Sequence, residues 1–393
     1  MRMSTLDLNG KLGLFPELAN DSKDTSASGI LPSQAIKDLI ANGRILAVPP
    51  IPDAHIQPAS LDLRLGDIAH RVQASFLPGA ASTVEGKIQE LGLRMTRVDL
   101  TREQVLEKGC VYIVPLVEEL NLPSNISAVA NPKSTTGRLD IFTRLIADYG
   151  VVFERVPAGY KGRLYVEIVS RTFTIILRAG MRLNQLRFVR GNPEPSDHAI
   201  RILDREEPLV YEKENPAKAL INRGLNISVN LRASEASEVI AYKAKKNAPV
   251  IDLGKISHYS PEDFWDAQYQ PRDNKLILDQ GDFYILASKE EMRVPPQYAA
   301  EMVAIDPSIG EFRIHYAGFF DPGFGYGAGD IKGTRAVLEV RAHEVPFLIE
   351  DGQIVGRLMY TPLLSKPDKI YGTNIGSSYQ RQALTLSKQF KKS

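Results

Sequence analysis

The chain has 393 residues, 43% hydrophobic and 24% charged, a composition that suits two or three soluble domains with real cores. Forty-eight Lys plus Arg stand against forty-seven Asp plus Glu; the resulting +1 argues against nucleic-acid or anionic-membrane partners but allows a small anionic ligand. A single cysteine, Cys110, excludes an internal disulfide and a Cys-rich zinc cluster and permits a reducing, cytoplasmic setting, and no apolar run is long enough to span a membrane.

Residues 1–29 lack the apolar core of a signal peptide and, with the small, polar segment Asn20–Gly29, read as a flexible leader. A helix is expected over Leu31–Gly43. Ser33 would cap it, Ile36, Leu39 and Ile40 would form its apolar stripe, and Asn42-Gly43 would end it. Strand-length runs follow at Ser60–Leu65, Val111–Val114, Ile126–Ala130, Leu164–Val169, Thr174–Leu177 and Gln185–Val189, broken by Gly, Pro and Asn. The reading is a mainly β chain with few short helices.

The second half repeats the first. Gly109-Cys110-Val111-Tyr112-Ile113 returns as Gly281-Asp282-Phe283-Tyr284-Ile285, an offset of 281 − 109 = 172, and Glu167 returns as Glu339 at the same offset. Tandem duplication of one β domain is the reading. It gives a first domain over 30–192, a Pro-, Asn-, Asp- and Glu-rich linker over 193–224, a second domain over 225–370 and a tail or lid over 371–393.

Absences narrow the chemistry. There is no His-x-Glu with Pro-Cys-x-x-Cys for zinc-dependent nucleobase deamination, no P-loop, no Gly-x-Ser-x-Gly and no His-Glu-x-x-His. Three features remain in the body of the chain. The loop Asn131–Arg138 gathers Lys133, Ser134, Thr135, Thr136 and Arg138, donors suited to phosphate oxygens, although such a loop taken alone is more often a plain connection between strands. Period two places Glu167 on one strand face with Tyr165 and Val169, where burial would raise its pKa toward the proton-shuttling range. Glu339 shares its face with Arg335 and Arg341, which suggests an ion-paired, permanently charged carboxylate, so Glu167 is the better catalytic candidate. Third, His315–Gly325 contains the tight turn Asp321-Pro322-Gly323 and small residues, Ala317 and Gly318, that let backbone approach a flat ring. The polar tail, Gly376–Lys388, holds one aromatic residue, Tyr379, and could close as a lid.

In their order these motifs resemble the deoxycytidine triphosphate deaminase family, which shares its β fold with the trimeric deoxyuridine triphosphatases. The resemblance rests on Ile56–Gly66 (Ile-Gln-Pro-Ala-Ser-Leu-Asp-Leu-Arg-Leu-Gly), Lys133–Arg138, Ala158–Gly162 with Glu167, Gly180–Leu186 and Ser378–Gln382. It implies two tandem dUTPase-like β-barrel (β-clip) domains and zinc-free hydrolysis of dCTP to dUTP and ammonia. Glu167 would be general base and acid, and Ser134 and Arg138 would stand beside the reacting amine and water. Lys133, Thr135 and Gln185 would face the phosphates, and Tyr379 and Gln382 would close over the nucleotide. Ala317 and Asp321 are the second-half substrate candidates, and Glu339 is the second-half carboxylate. The resemblance further implies Mg2+ carried by the triphosphate rather than by protein ligands, and a homo-oligomer, trimeric or hexameric, with sites formed between neighbouring domains. At the positions matching Ser134 and Arg138 the second half has Asp306 and Gly310, so its Glu339 is either silent or completes a site with a first-half loop. Two rival readings stand beside this one: a bifunctional enzyme yielding dUMP and pyrophosphate, and a non-catalytic nucleotide sensor.

Overall fold

The computed structural model describes residues 27–234, 237–304, 312–314, 318–342, 345–372 and 382–392. It is mainly β, and every strand expected between residues 60 and 189 is present. The first helix runs Ser33–Ala41, and Asn42 and Gly43 end it, Gly43 at φ 65°. Ser33 does not cap it. It lies inside the first turn, and its hydroxyl donates to Asp368, tying the helix to the distant segment that follows the last long strand.

Central strand pairs recur in both halves with the same registers. In the first half Lys161–Ser170 lies antiparallel to Val111–Asn121 with Glu167 opposite Ile113; in the second, Thr334–Ala342 lies against Phe283–Met292 with Glu339 opposite Ile285. Asn184–Arg190 pairs with Ile126–Pro132, Leu186 opposite Ala130, and Ile354–Pro362 pairs with Tyr298–Ala304, Leu358 opposite Met302. A third pairing, His70 with Ile113, returns as Tyr242 with Ile285. Every member of these pairs moves by 172 residues, the offset seen in the sequence.

Alternation explains why the strands sit as they do. Leu164, Val166 and Ile168 enter the large core, whereas Tyr165 faces a smaller cluster with Ile113, Ile146, Val84 and Ile88. The large core does not stop at the duplication boundary: Phe264, Trp265, Phe283, Leu386 and Phe390 from the second half pack into it. The strand Ile175–Leu177 also pairs in parallel with Ile251–Asp252, so one small sheet is shared between halves. At this seam Arg341 donates to the carboxylate of buried Asp140 and, at 3.0 Å, to Thr172.

The expected linker, 193–224, is structured. Ser196 caps a helix, Asp197–Glu206, by accepting from the Ala199 amide, and Ile200 and Leu203 sit in the second-half core. Val210–Glu212 then joins the second-half sheet. Polar composition at the surface face of this helix hid its apolar stripe.

Candidate functional site

The strand Ile126–Pro132 ends at a single helical turn, Ser134–Gly137, which places Ser134 and Arg138 one turn apart on the same side. Two bonds to the Leu183 carbonyl pin this turn to the start of the strand Asn184–Arg190: the Lys133 amide at 2.8 Å and the Thr136 hydroxyl at 2.9 Å. The Thr135 carbonyl accepts from the Ser387 hydroxyl at 3.0 Å. Ser134 is half-buried and Arg138 is buried. The Arg138 guanidinium donates through Nη1 to the Thr385 carbonyl at 3.0 Å and through Nη2 to Gln382 Oε1 at 2.9 Å. Two positions expected from the family pattern, Arg138 and Gln382, therefore meet directly.

The carboxylate that answers Arg138 is Glu339. It is buried, and burial pushes its pKa up to about 8; among the described residues the charge opposing that rise is Arg138. The two arginines expected to hold it ionised are engaged elsewhere, Arg335 with Glu291 at 3.8 Å and Arg341 with Asp140. The expectation of an ion-paired Glu339 is corrected: this carboxyl can hold a proton near neutral pH.

Glu167 occupies the equivalent place in the first half but lives in different company. Arg144 stands directly opposite it on Ile141–Ala147 and donates to Glu167 Oε1 through Nη2 at 2.7 Å and Nε at 3.0 Å. The guanidinium is stacked 3.7 Å from the Phe153 ring centroid, which fixes its plane. Glu167 is 1% exposed, and among the described residues its Oε2 has no hydrogen-bond partner. Neither Ser134 nor Arg138 of the same chain hydrogen-bonds it among the described residues.

Around the other side of the turn the charges thicken. Lys133 and Arg182 both pair with the buried Asp62, Arg182 at 3.2 Å. Gln185, opposite Asp62 in register, is buried, and its carboxamide lies within 3.5 Å of both the Ser60 hydroxyl and the Pro132 carbonyl. A cavity of about 380 Å³ opens here, lined among others by Lys133, Thr135, Arg178, Arg182 and Lys388. Lys388 is held below the usual lysine range, first by burial and then by the like charges of Lys133 and Arg182. Asp321 lies nearby: its carboxylate meets Arg187 at 3.4 Å, and burial raises its pKa against the pull of Arg187 and Lys133. Arg187, from the first half, also donates to the Ala300 carbonyl at 3.0 Å and stacks 3.9 Å from the Phe319 centroid, seating the second-half turn on the first half.

Thus the structure brings Lys133, Ser134, Thr135, Arg138, Gln185, Asp321, Gln382 and Glu339 to one seam between halves and leaves Glu167 apart. Ala317 and Tyr379 lie outside the described residues. Sequence reasoning missed Asp62, Arg182, Arg187 and Lys388. A signal for Asp62 existed, an acid flanked by Leu61 and Leu63 in the most distinctive motif; Arg182 lay within Gly180–Leu186 and Lys388 at the end of the polar tail, but neither was singled out as a cation of the site, and nothing marked Arg187. No group of three or more His, Cys, Asp or Glu suited to a metal ion occurs among the described residues.

Comparison with known proteins follows the same division. The model of the 2'-deoxycytidine 5'-triphosphate deaminase N-terminal domain matches residues 27–192, and that of the C-terminal domain matches 196–390. The chain is 32% identical over 162 residues to a dCTP deaminase of Halorubrum lacusprofundi, covering 40% of this chain and 76% of that protein. It is 30% identical over 171 residues to a dUMP-forming dCTP deaminase of Aquifex aeolicus, covering 42% and 84%. The crystal structure of 2'-deoxycytidine 5'-triphosphate deaminase from Agrobacterium tumefaciens is similar at TM-score 0.80 and 47% identity, over 87% of this chain and 99% of that one. Two domain models in tandem, relatives at 30–32% identity and a solved structure matched over 87% of this chain place it in the 2'-deoxycytidine 5'-triphosphate deaminase family.

Proposed function

We propose that the chain deaminates dCTP at a site built from the first-half turn and the second-half carboxylate. The observation that carries this is Arg138 acting on a buried Glu339 whose pKa is about 8. Glu339 accepts a proton from the attacking water and delivers it to the departing amino group, so that dCTP and water become dUTP and ammonia. Arg138 and Ser134 orient the water and stabilise developing charge, the preorganised electrostatics that usually supply the largest share of such rate gains. Lys133, Thr135, Gln185, Arg182 and Lys388 take the polyphosphate, and Asp321 the sugar side. Magnesium is read as part of the substrate, bound to the triphosphate oxygens. Glu167 is assigned a structural role, which leaves one competent site per chain.

The repeated registers and the two tandem family models support reading each half as a dUTPase-like β barrel. Association of chains into a trimer or hexamer belongs to the same reading, as does a cytoplasmic setting. No helix among the described residues is long and apolar enough to cross a membrane. A second reading, further hydrolysis to dUMP, is favoured by relatives named dUMP-forming and by the carboxylate of Asp321 beside the cationic cavity.

The test is incubation with dCTP and magnesium, followed by assay of ammonia and pyrophosphate. Ammonia with dUTP is the expected result. Ammonia with stoichiometric pyrophosphate selects the dUMP-forming reading, and nucleotide binding without ammonia overturns both.

A further inference from the structure

Residues from Gln382 onward form a strap with two ends. At the near end three groups grip the Ser134–Arg138 turn: Gln382 Oε1 and the Thr385 carbonyl hold the guanidinium, and the Ser387 hydroxyl holds the Thr135 carbonyl. Gln382 is itself fixed, since its Nε2 donates to the Arg335 carbonyl at 3.2 Å. At the far end the strap is sewn to the second-half loop 253–259. The Ser257 amide donates to the Lys388 carbonyl at 2.9 Å, His258 to Gln389 at 2.8 Å, and Lys391 to Tyr259 at 2.8 Å. Gln389 Nε2 donates to the Leu253 carbonyl at 3.1 Å.

Phe390 closes this end. It is buried and meets Phe264 edge-on at 5.4 Å and Trp265 at 6.0 Å, with Tyr259 tilted at 6.3 Å. Edge-to-face aromatic packing of this kind is directional, so it sets the strap's register as well as burying area. These described residues are therefore docked on the body of the chain through both backbone hydrogen bonds and aromatic packing.

We propose that Phe390 is the anchor of a C-terminal strap that positions Arg138 against Glu339, so that an aromatic box remote from the substrate acts on the deamination through one guanidinium. The inference rests on the site reading above. Two of the Arg138 donors are satisfied by strap atoms, and those atoms keep their places only while the strap keeps its register. A misplacement of about 1 Å at a charge-stabilising group costs up to about 100-fold in rate. Because the Arg138 charge favours the ionised form of Glu339, loosening it also moves the Glu339-dependent limb of the pH–rate profile upward.

The experiment is a cycle of Phe390→Ala, Arg138→Ala and the double variant in the full-length protein, with kcat and KM for dCTP read from ammonia release between pH 5 and 9. Phe390→Ala is expected to lower kcat about 10–100-fold and shift the limb upward. In the Arg138→Ala background the same change should add no more than about threefold, the non-additivity of residues acting through one another. Full turnover in Arg138→Ala overturns the site reading itself. Loss there, with Phe390→Ala at the parental rate or with the two losses multiplying, overturns the anchor alone. Phe390→Leu, which keeps an apolar side chain in the box, carries the same test at smaller amplitude if the alanine variant does not fold.

Discussion

Glu339→Gln separates catalysis from stability, because the structure makes the two respond in opposite directions. The carboxamide keeps the volume of the side chain but cannot shuttle a proton, and loss of a positioned general acid and base costs about 10²- to 10⁴-fold, or about 3–5 kcal/mol of barrier. Stability moves the other way. The carboxyl has a pKa of about 8 when folded against a reference of 4.5, so between those values the folded chain holds a proton that the unfolded chain releases. This contribution is fully present below pH 4.5, falls as pH rises, and is gone above pH 8, where the folded chain carries a buried charge worth about 4–5 kcal/mol of destabilisation. Glutamine has no such charge. The variant should melt close to the parent at pH 4.5 and higher than the parent at pH 9, while single-turnover ammonia release nearly vanishes. Near-parental ammonia release would remove Glu339 from the chemistry. A variant that melts below the parent at pH 9 would show that the carboxylate is stabilised by a partner instead of penalised by burial.

Glu167→Gln should leave ammonia release within about threefold of the parent, because the change falls outside the proposed catalytic seam; a collapse of turnover would restore Glu167 as the base. Arg144→Leu strips Glu167 of its two guanidinium donors, and urea unfolding should register a loss of about 3–5 kcal/mol, largely recovered in the Arg144→Leu, Glu167→Gln double variant. Lys388→Gln should raise KM for dCTP about 3- to 30-fold with little change in kcat, the worth of one charge-assisted bond to a polyphosphate, and flatten the salt dependence of KM. Arg341→Met removes the guanidinium that donates to buried Asp140 at the seam between halves and should cost about 3–5 kcal/mol in the same unfolding assay.

Much of the fold was legible because strand signals are local. Val111–Val114 and Leu164–Val169 are apolar runs of strand length, and the 172-residue offset carried whole registers from one half to the other. Two local features were misread. Ser33 looked like a cap because its type suits one, yet a hydroxyl serves whichever acceptor tertiary structure brings, here Asp368. The segment 193–224 looked like a linker from its Pro, Asn, Asp and Glu content, although Ser196, Ile200 and Leu203 already had helical spacing. The strap was harder. Phe390 is one aromatic near a chain end, and nothing in its neighbours announces Phe264 and Trp265 more than a hundred residues away.

The assignment of the carboxylate shows where one-dimensional reading stops. A strand face viewed alone offers only neighbours along its own strand, so Glu339, with Arg341 at i+2 and Arg335 at i−4, seemed hemmed in by arginines, whereas Glu167, with Tyr165 and Val169 at i±2, seemed free of them. Sheets pair residues across strands, and the decisive neighbour of Glu167 is Arg144, directly opposite and over twenty positions away in sequence. The arginines likewise find partners off their own strand: Arg335 meets Glu291, opposite it on the neighbouring strand, and Arg341 reaches Asp140 in the other half, so Glu339 is left to burial and to Arg138 from the other half. The same logic accounts for the uneven erosion after duplication. On the proposed assignment the first half supplies the donor turn and the second supplies the acid, so selection need not keep an acid-competent Glu167, nor the serine and arginine whose places Asp306 and Gly310 now hold. Each half has kept what the other half uses.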